Sequence, residues 1–426
     1  MSPTGDEIET TRNPPPPFAD ALRWWFKLGW ISFGGPAGQI AIMHDELVER
    51  RRWLDEQGFL RALNYCMLLP GPEAQQLATY IGWRLHGVRG GIAAGVLFVL
   101  PSLLLLLLLS WLYVAYQHLP ALAHVLDGLR PAVVAIIAAA AWRLGRKILK
   151  QPTQWAIAAA AFIALAWLRL PFPLLIGLAA LAGWALLRTP ATSKPASIQK
   201  PSGFRWQTTL KLLAVCAALW LAGFLLLPAG TLRDMALFFS KAAFLTFGGA
   251  YAVLPYVDAA ATQHYGWLQP GQMLDGLALG ETTPGPLIMV VAFVGFVGGW
   301  NSAAGDPLAL AIAGGLVATF FTFLPSFLLV LAGAPLIEAS GTRTRFDAPL
   351  AGINAAVIGV IAHLALAFAT GTFWRAGQLD VFNLLLAIAA LLALVRFKLG
   401  VVPVMLVCAL IGLLRGLLMS GQAMPG

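Results

Sequence analysis

The chain has 426 residues, of which 59% are hydrophobic and 11% charged; its formal net charge is +9 and its mean hydropathy +0.77. A soluble domain carries about 25% charged residues, so this chain cannot coat a water-facing surface. Its excess of Lys and Arg reads as topology-setting loops rather than a nucleic-acid footprint.

In chain order, residues 1–17 are acidic and then Pro-rich, which predicts a disordered tail. Residues 20–43 form an apolar run interrupted by Gly34-Gly35-Pro36, and residues 59–85 one interrupted by Pro70-Gly71-Pro72. The stretch between them carries Arg50, Arg51 and Arg52, so each run is open to two readings, a full crossing or a re-entrant hairpin. Four spans are expected next, at 91–116, 126–146, 153–169 and 171–187. A basic linker, 188–207, leads to one connecting helix within 208–233. The second half then offers segments at 234–257, 273–299, 308–333, 349–370, 380–395 and 401–419. About 20 apolar residues cross the hydrocarbon core as a helix, and the runs are continuous rather than alternating, which excludes a barrel. The fold class expected is an all-α polytopic membrane protein.

The halves, 18–187 and 234–420, repeat one another. Phe33-Gly34-Gly35 recurs 214 residues on as Phe247-Gly248-Gly249, with Lys27 matching Lys241, Ser32 matching Thr246 and Trp53 matching Trp267. Pro70-Gly71-Pro72 matches Pro284-Gly285-Pro286 at the same offset. Past a ten-residue insertion near 299–308, Leu100-Pro101-Ser102 matches Leu324-Pro325-Ser326, and Gly128 matches Gly352, now 224 residues on. Pro173 and Pro403 hold like places in the last helix of each half. The positive charges do not repeat in phase: the loop at 258–272 has no counterpart to Arg50–Arg52, while Arg343, Arg345, Arg396 and Lys398 follow helices one crossing later. With one unpaired helix between the halves, this predicts an inverted-topology repeat, cytoplasmic N-terminus and periplasmic C-terminus, as in secondary transporters with a midplane site.

Broken helices at membrane depth are tolerated where they are buried in protein or line a water-filled cavity. Their N-termini present free N–H groups and partial positive charge, suited to an anion. The plain alternative is a simple kink. Gly34, Gly35, Gly248, Gly249 and both Pro-Gly-Pro triplets (Pro70, Gly71, Pro72; Pro284, Gly285, Pro286) are therefore candidate substrate-binding positions. Ionisable and polar neighbours join them because burying such groups in a membrane is costly: Lys27, Lys241, Glu73, Gln76, Glu281, Thr282 and Thr283. Lys27 and Lys241 equally fit snorkelling to the interface, and Glu73 fits a helix-start cap. Arg130 and Asn354, matched in the repeat, complete the set, Arg130 either as oxyanion ligand or interfacial anchor. Cys66, Cys216 and Cys408 lack metal-ligand spacing, so no metal and no cofactor are expected. No H-E-x-x-H, Walker-type or G-x-S-x-G motif appears and the loops are short, so no catalytic residue is assigned.

At these motifs the sequence resembles the chromate ion transporter family, in its long, fused (ChrA-type) form. The resemblance is carried by FGGPAGQIAIMHDELVERRRWLDEQGF with LLPGPEAQQLATYIGWRLHG, and by FGGAYAVLPYV, YGWL and LGETTPGPLIMVVAFVGF. It implies a bacterial inner-membrane protein that exports chromate and confers resistance to it. Ala250 stands where the first half has Pro36, which weakens the second Gly-Gly break. Chromate and sulfate are both tetrahedral dianions, so a sulfate or other oxyanion carrier is the first alternative. A membrane-embedded lipid-processing or assembly protein is the alternative of another class. The partners expected are such an oxyanion and membrane lipid, with no nucleic acid; a homodimer is left open.

Overall fold

The structure, a computed structural model, describes residues 16–187, 206–339, 347–375 and 377–422. The tail expected over 1–17 and the linker over 188–207 lie, but for two residues each, outside the described residues.

The interrupted segments fold as hairpins. Helix α1 (Phe18–Ile31) ends at Ser32, and α2 (Gly35–His44) starts after Gly34, held at φ 89°, where an L side chain is strained. A π-helical turn, Asp45–Arg50, extends α2. Helix α3 (Glu56–Cys66) then runs to Pro70-Gly71-Pro72, and α4 (Glu73–Tyr116) starts directly behind it. Pro72 supplies extended backbone (φ −78°, ψ 105°) before the first helical residue. Helix α4 is itself two arms, because His86 (φ −138°) and Gly87 (φ 64°) leave helical geometry and turn the chain back. The arms press backbone to backbone at Gly82 and Gly90, where a Cβ on either would strike the other's carbonyl.

The ends of these hairpins lie together. Arg84 pairs with Asp55 (3.5 Å), the Phe18 and His86 rings meet at 5.2 Å, and His86 Nε2 lies 2.7 Å from the Pro16 carbonyl oxygen. The chain therefore enters at 18 and returns near 50, enters again at 56 and returns near 86. Both apolar segments of the first half thus fold back on themselves as hairpins, the geometry that the re-entrant reading requires.

The second half repeats this element by element. Helix α8 (Trp206–Leu226) connects the halves. Helix α9 (Thr231–Leu245), a break at Gly248-Gly249, α10 (Ala250–Ala259) and a π-helical turn at Ala260–His264 follow. Helix α11 (Gln272–Thr282), Pro284-Gly285-Pro286, a 3-10 turn (Leu287–Met289) and α12 (Val290–Asn301) form the second pair of arms. Gly298 packs between Met235 and Trp267, and Asn301 Nδ2 donates to the Trp267 carbonyl (2.9 Å), again joining the open ends.

Long helices enclose these hairpins. In the first half they are the outer arm of α4, α5 (Pro120–Ile148), α6 (Pro152–Ala166) and α7 (Phe172–Leu186); in the second, α13 (Pro307–Ala339), α14 (Asp347–Phe373), α15 (Val381–Val395) and α16 (Val401–Gln422). Among the described residues, six helices are long and apolar enough to cross a membrane, and α6, α7 and α15 are shorter apolar helices. At about 1.5 Å per residue, a 15-residue helix such as α6 spans about 22 Å, somewhat less than the hydrocarbon core. One small departure from all-α is a pair of two-residue strands, β1 (Trp374–Arg375) and β2 (Gln378–Leu379), closing the turn after α14.

The halves interlock rather than sit side by side. Gly128 of α5 packs on Gly412 of α16, and its counterpart Gly352 of α14 on Gly183 of α7, so each half's last helix lies on the other half. Equivalent helices run antiparallel: Gly91 of α4 faces Leu331 of α13, while Gly315 of α13 faces Leu107 of α4. Small residues at these crossings let backbones approach closely, which is how helices associate without a hydrophobic drive between them.

Candidate functional site

The four hairpin tips meet. The Gly71 N–H donates to the Thr246 carbonyl (2.7 Å), and the Gly285 N–H donates to the Ser32 carbonyl (2.8 Å). Gly71 and Gly285 are repeat equivalents, as are Ser32 and Thr246, so each Pro-Gly-Pro docks on the residue preceding the other half's Phe-Gly-Gly. Both glycines require a left-handed backbone, φ 128° and 107°. Around them, Ser326 closes on Gly71 and its counterpart Ser102 on Gly285. Gly29, one turn before the first tip, packs against Pro101. Pro101 stands midway along the outer arm of α4, which places the tips at the centre of the bundle's thickness.

Helix starts converge on this point: α2 behind Gly34-Gly35, α4 behind Pro72 and α10 behind Gly249. None of these starts has a side-chain cap on its free N–H groups. Buried polar side chains ring the tips. Gln39 Nε2 donates to the Gly285 carbonyl (2.6 Å) and Ser32 carbonyl (3.2 Å); Gln76 Nε2 donates to the Pro70 carbonyl (2.8 Å). Ser326 Oγ donates to Gln75 Oε1 (2.7 Å), and Gln75 Nε2 donates to Thr79 Oγ1 (3.0 Å). Gln39 Oε1, Gln76 Oε1 and Ser102 Oγ are buried without a partner. Buried polar atoms are ordinarily paired, so unsatisfied ones beside free helix starts mark a place built for something polar.

The two carboxylates differ in setting. Glu73 opens α4, where a negative charge complements the helix start. Glu281 lies in the last turn of α11, where the dipole opposes it, and is held instead by a hydrogen bond from the Tyr251 hydroxyl. Thr282 and Thr283 sit beside the break, but their hydroxyls donate back to the Leu279 (2.8 Å) and Gly280 (2.9 Å) carbonyls. Asn354 comes to the second Gly-Gly, its Oδ1 3.4 Å from where a Gly248 Cβ would stand.

Three of the sequence candidates lie apart. Lys27 is on the exposed side of α1, its Nζ 6.0 Å over the Trp24 ring, and Lys241 is likewise exposed on α9. Arg130 is committed to a buried partner: its Nε and Nη2 donate to both oxygens of Asp275 (2.8 and 3.0 Å), and its Nη1 donates to Asp127 (3.1 Å). Tyr113 also donates to Asp275 (3.0 Å), so this guanidinium ties α5 to α11 instead of standing open. The residues that sequence reasoning missed are Gln39, Ser102, Ser326, Tyr251 and Asp275. Their signal was a polar side chain inside an apolar run, and Leu-Pro-Ser was seen to repeat without being given a role. Among the described residues no cluster of metal-ligating side chains occurs.

Comparison with known proteins finds relatives along nearly the whole chain. The chromate transport protein of Pseudomonas aeruginosa is 34% identical over 95% of this chain and 94% of its own length. The corresponding protein of Cupriavidus metallidurans is 30% identical over 92% of each, and a probable chromate transport protein of Synechococcus elongatus 32% identical over 80% and 81%. No solved structure matches significantly. The sequence pattern described as "Chromate transporter" matches residues 19–184 and 233–413, one stretch in each half, and with this coverage the chain belongs to the chromate transporter family, as a multi-pass protein of the bacterial inner membrane.

Proposed function

We propose that this protein exports chromate from the cytoplasm by alternating access, driven by the membrane potential with or without the proton gradient, and thereby confers chromate resistance. The observation that carries this reading is the reciprocal contact of the hairpin tips. It gathers uncapped helix starts and unpartnered amide and hydroxyl oxygens mid-bundle, in a chain whose relatives are named for chromate transport. A tetrahedral dianion is the ligand such starts favour.

Topology supports the direction of access. Taking the basic ends as cytoplasmic, the first-half hairpins open to the cytoplasm and the second-half hairpins to the periplasm. Four crossings, the single crossing of α8 and four more then invert the second half. Antiparallel packing of α4 on α13 is what such a repeat requires, because its two-fold lies in the membrane plane. Rocking one half against the other would open the tips to one side at a time.

Energetics favour export. A dianion leaving a negative-inside cell gains about 4.6 kcal/mol per 100 mV, twice the single-charge value. The deciding experiment is radiolabelled chromate flux in proteoliposomes under an imposed potential, with and without a pH gradient. Flux that follows the potential, with competition by sulfate reporting selectivity, is expected. Flux no greater than in empty liposomes overturns the reading. If protons contribute, Glu281→Gln or Glu73→Gln abolishes the pH-gradient component and leaves potential-driven flux.

A further inference from the structure

The two halves share a plan but not a set of contacts. In the second half, α11 packs on α5 and α16, and α10 packs on α14. The repeat equivalents of those contacts are α3 on α14 and α7, and α2 on α5. Among the described residues none of these three forms an extended contact. The first-half hairpins pack instead on α4, reach α13 at Val330 and Ala334, and keep a core of their own.

One face of each helix carries the difference. Gln57, Leu60, Arg61, Asn64 and Met67 recur at three- and four-residue spacing along α3 and its last turn, and all are exposed. Their equivalents 214 residues on, Gly271, Leu274, Asp275, Ala278 and Glu281, are buried or half-buried. Leu60 is 44% exposed, whereas Leu274 is 5% exposed. A face that carries Arg61 and Asn64 is unsuited to lipid, so it borders water. What covers α11 is specific: Arg130 donates to both oxygens of Asp275 (2.8 and 3.0 Å), and Tyr113 donates to the same carboxylate (3.0 Å). At the equivalent place α14 offers Asn354 and α3 offers Arg61, an amide against a guanidinium.

We propose that these surfaces are the two gates of the carrier. On the periplasmic side α11 is shut on α5 and α16; on the cytoplasmic side α3 stands away from α14 and α7. In the opposite state the contacts exchange, α3 closing on α14 as α11 leaves α5. This deepens the transport reading above and rests on it and on its topology. Two inverted repeats of one fold interconvert in this way, each taking up the arrangement that the other gives up. Departure of α11 does not strand Arg130, because Asp127, one turn back on α5, accepts from its Nη1 at 3.1 Å. Closure of α3, by contrast, brings Arg61 onto Asn354 with no carboxylate at the equivalent place, and a buried charge without a counter-charge is costly. The periplasmic gate is therefore the stronger, and the carrier rests open to the cytoplasm, the side from which an exporter loads.

The test uses single cysteines in the full chain with Cys66, Cys216 and Cys408 replaced, probed in membrane vesicles with a membrane-impermeant thiol reagent. Without chromate, Leu60→Cys and Asn64→Cys should label from the cytoplasmic face, and their equivalents Leu274→Cys and Ala278→Cys should label hardly at all from either face. Adding Asp275→Asn should raise periplasmic labelling of Ala278→Cys about tenfold or more, with labelling of Leu60→Cys falling as the outward state fills. Tyr113→Phe, which removes one hydrogen bond and keeps the ion pair, should move both rates the same way, the Ala278→Cys rate by about 2- to 10-fold. Should Asp275→Asn not fold, Tyr113→Phe decides. Equal labelling of Leu60→Cys and Leu274→Cys, or rates that Tyr113→Phe leaves unchanged, overturns the gates, while wild-type chromate flux in the same vesicles preserves the transport reading. Absent wild-type flux overturns that reading instead.

Discussion

Gly71 and Gly285 illustrate how much one backbone position can carry. Each holds a positive φ, donates across the centre to the other half, and stands against a serine from a long helix. Replacing either by Ala adds a Cβ where the conformation disfavours one. A loss of about 1–3 kcal/mol is expected, read as a lower melting temperature in detergent together with reduced flux. Because the two contacts are equivalent, Gly71→Ala and Gly285→Ala should behave alike, and a silent Gly285→Ala would count against the reciprocal contact. At the same scale, Asp275 is 1% exposed and bound by both Arg130 and Tyr113. Asp275→Asn removes the buried one of the two carboxylates on this guanidinium, leaving Asp127, and should cost up to about 3–5 kcal/mol of stability, the range for breaking a buried pair. Arg130→Ala should match it, and the double variant should cost less than the sum of the singles. Spacing paired Arg130 with Asn354 as repeat positions, yet could not show that only Asn354 comes to a tip. The partner that claims Arg130 lies 145 residues away in sequence.

At the level of elements, the interrupted segments fold back as hairpins, which predicts that they do not cross. Charge alone suggested this in the first half, because three arginines follow α2 where a second interface would otherwise be needed. Nothing in the second half's loops said so directly, and the repeat had to supply it. Single cysteines test the arrangement by labelling with a membrane-impermeant thiol reagent. With Cys66, Cys216 and Cys408 replaced, Asp55→Cys and Arg89→Cys should both label only from the cytoplasmic face, and Asp306→Cys only from the periplasmic face. Labelling of Asp55→Cys and Arg89→Cys from opposite faces would mean that the segment between them crosses. The packing adds a feature with no trace in hydropathy. The first-half hairpins form their own core around Trp24, Trp25, Phe59 and Tyr80, touching α13 at Val330 and Ala334, whereas the second-half hairpins share one core with α5, α7 and α14–α16. A body with its own core is the part able to move as a unit.

For the whole molecule, interlocking decides what can be separated. Helices α6 and α7 lie on α14, and α15 and α16 lie on α5, so cutting the chain in the basic linker leaves each half with exposed crossings. Halves 1–200 and 201–426 expressed alone should be degraded, and co-expressed should recover flux within a few-fold of the intact chain. Stable, monodisperse single halves would show that the crossings contribute little.

Sequence by itself determined that the chain lives in a bilayer, because 11% charged residues cannot cover a water-facing surface. It also determined that the chain is duplicated and where its helices break, since Gly and Pro act locally through φ and the missing N–H. Only the tertiary structure decided which breaks meet, which polar groups are spent and which stand open. Those facts depend on partners hundreds of residues apart, Gly71 with Thr246 and Ser32 with Gly285 among them.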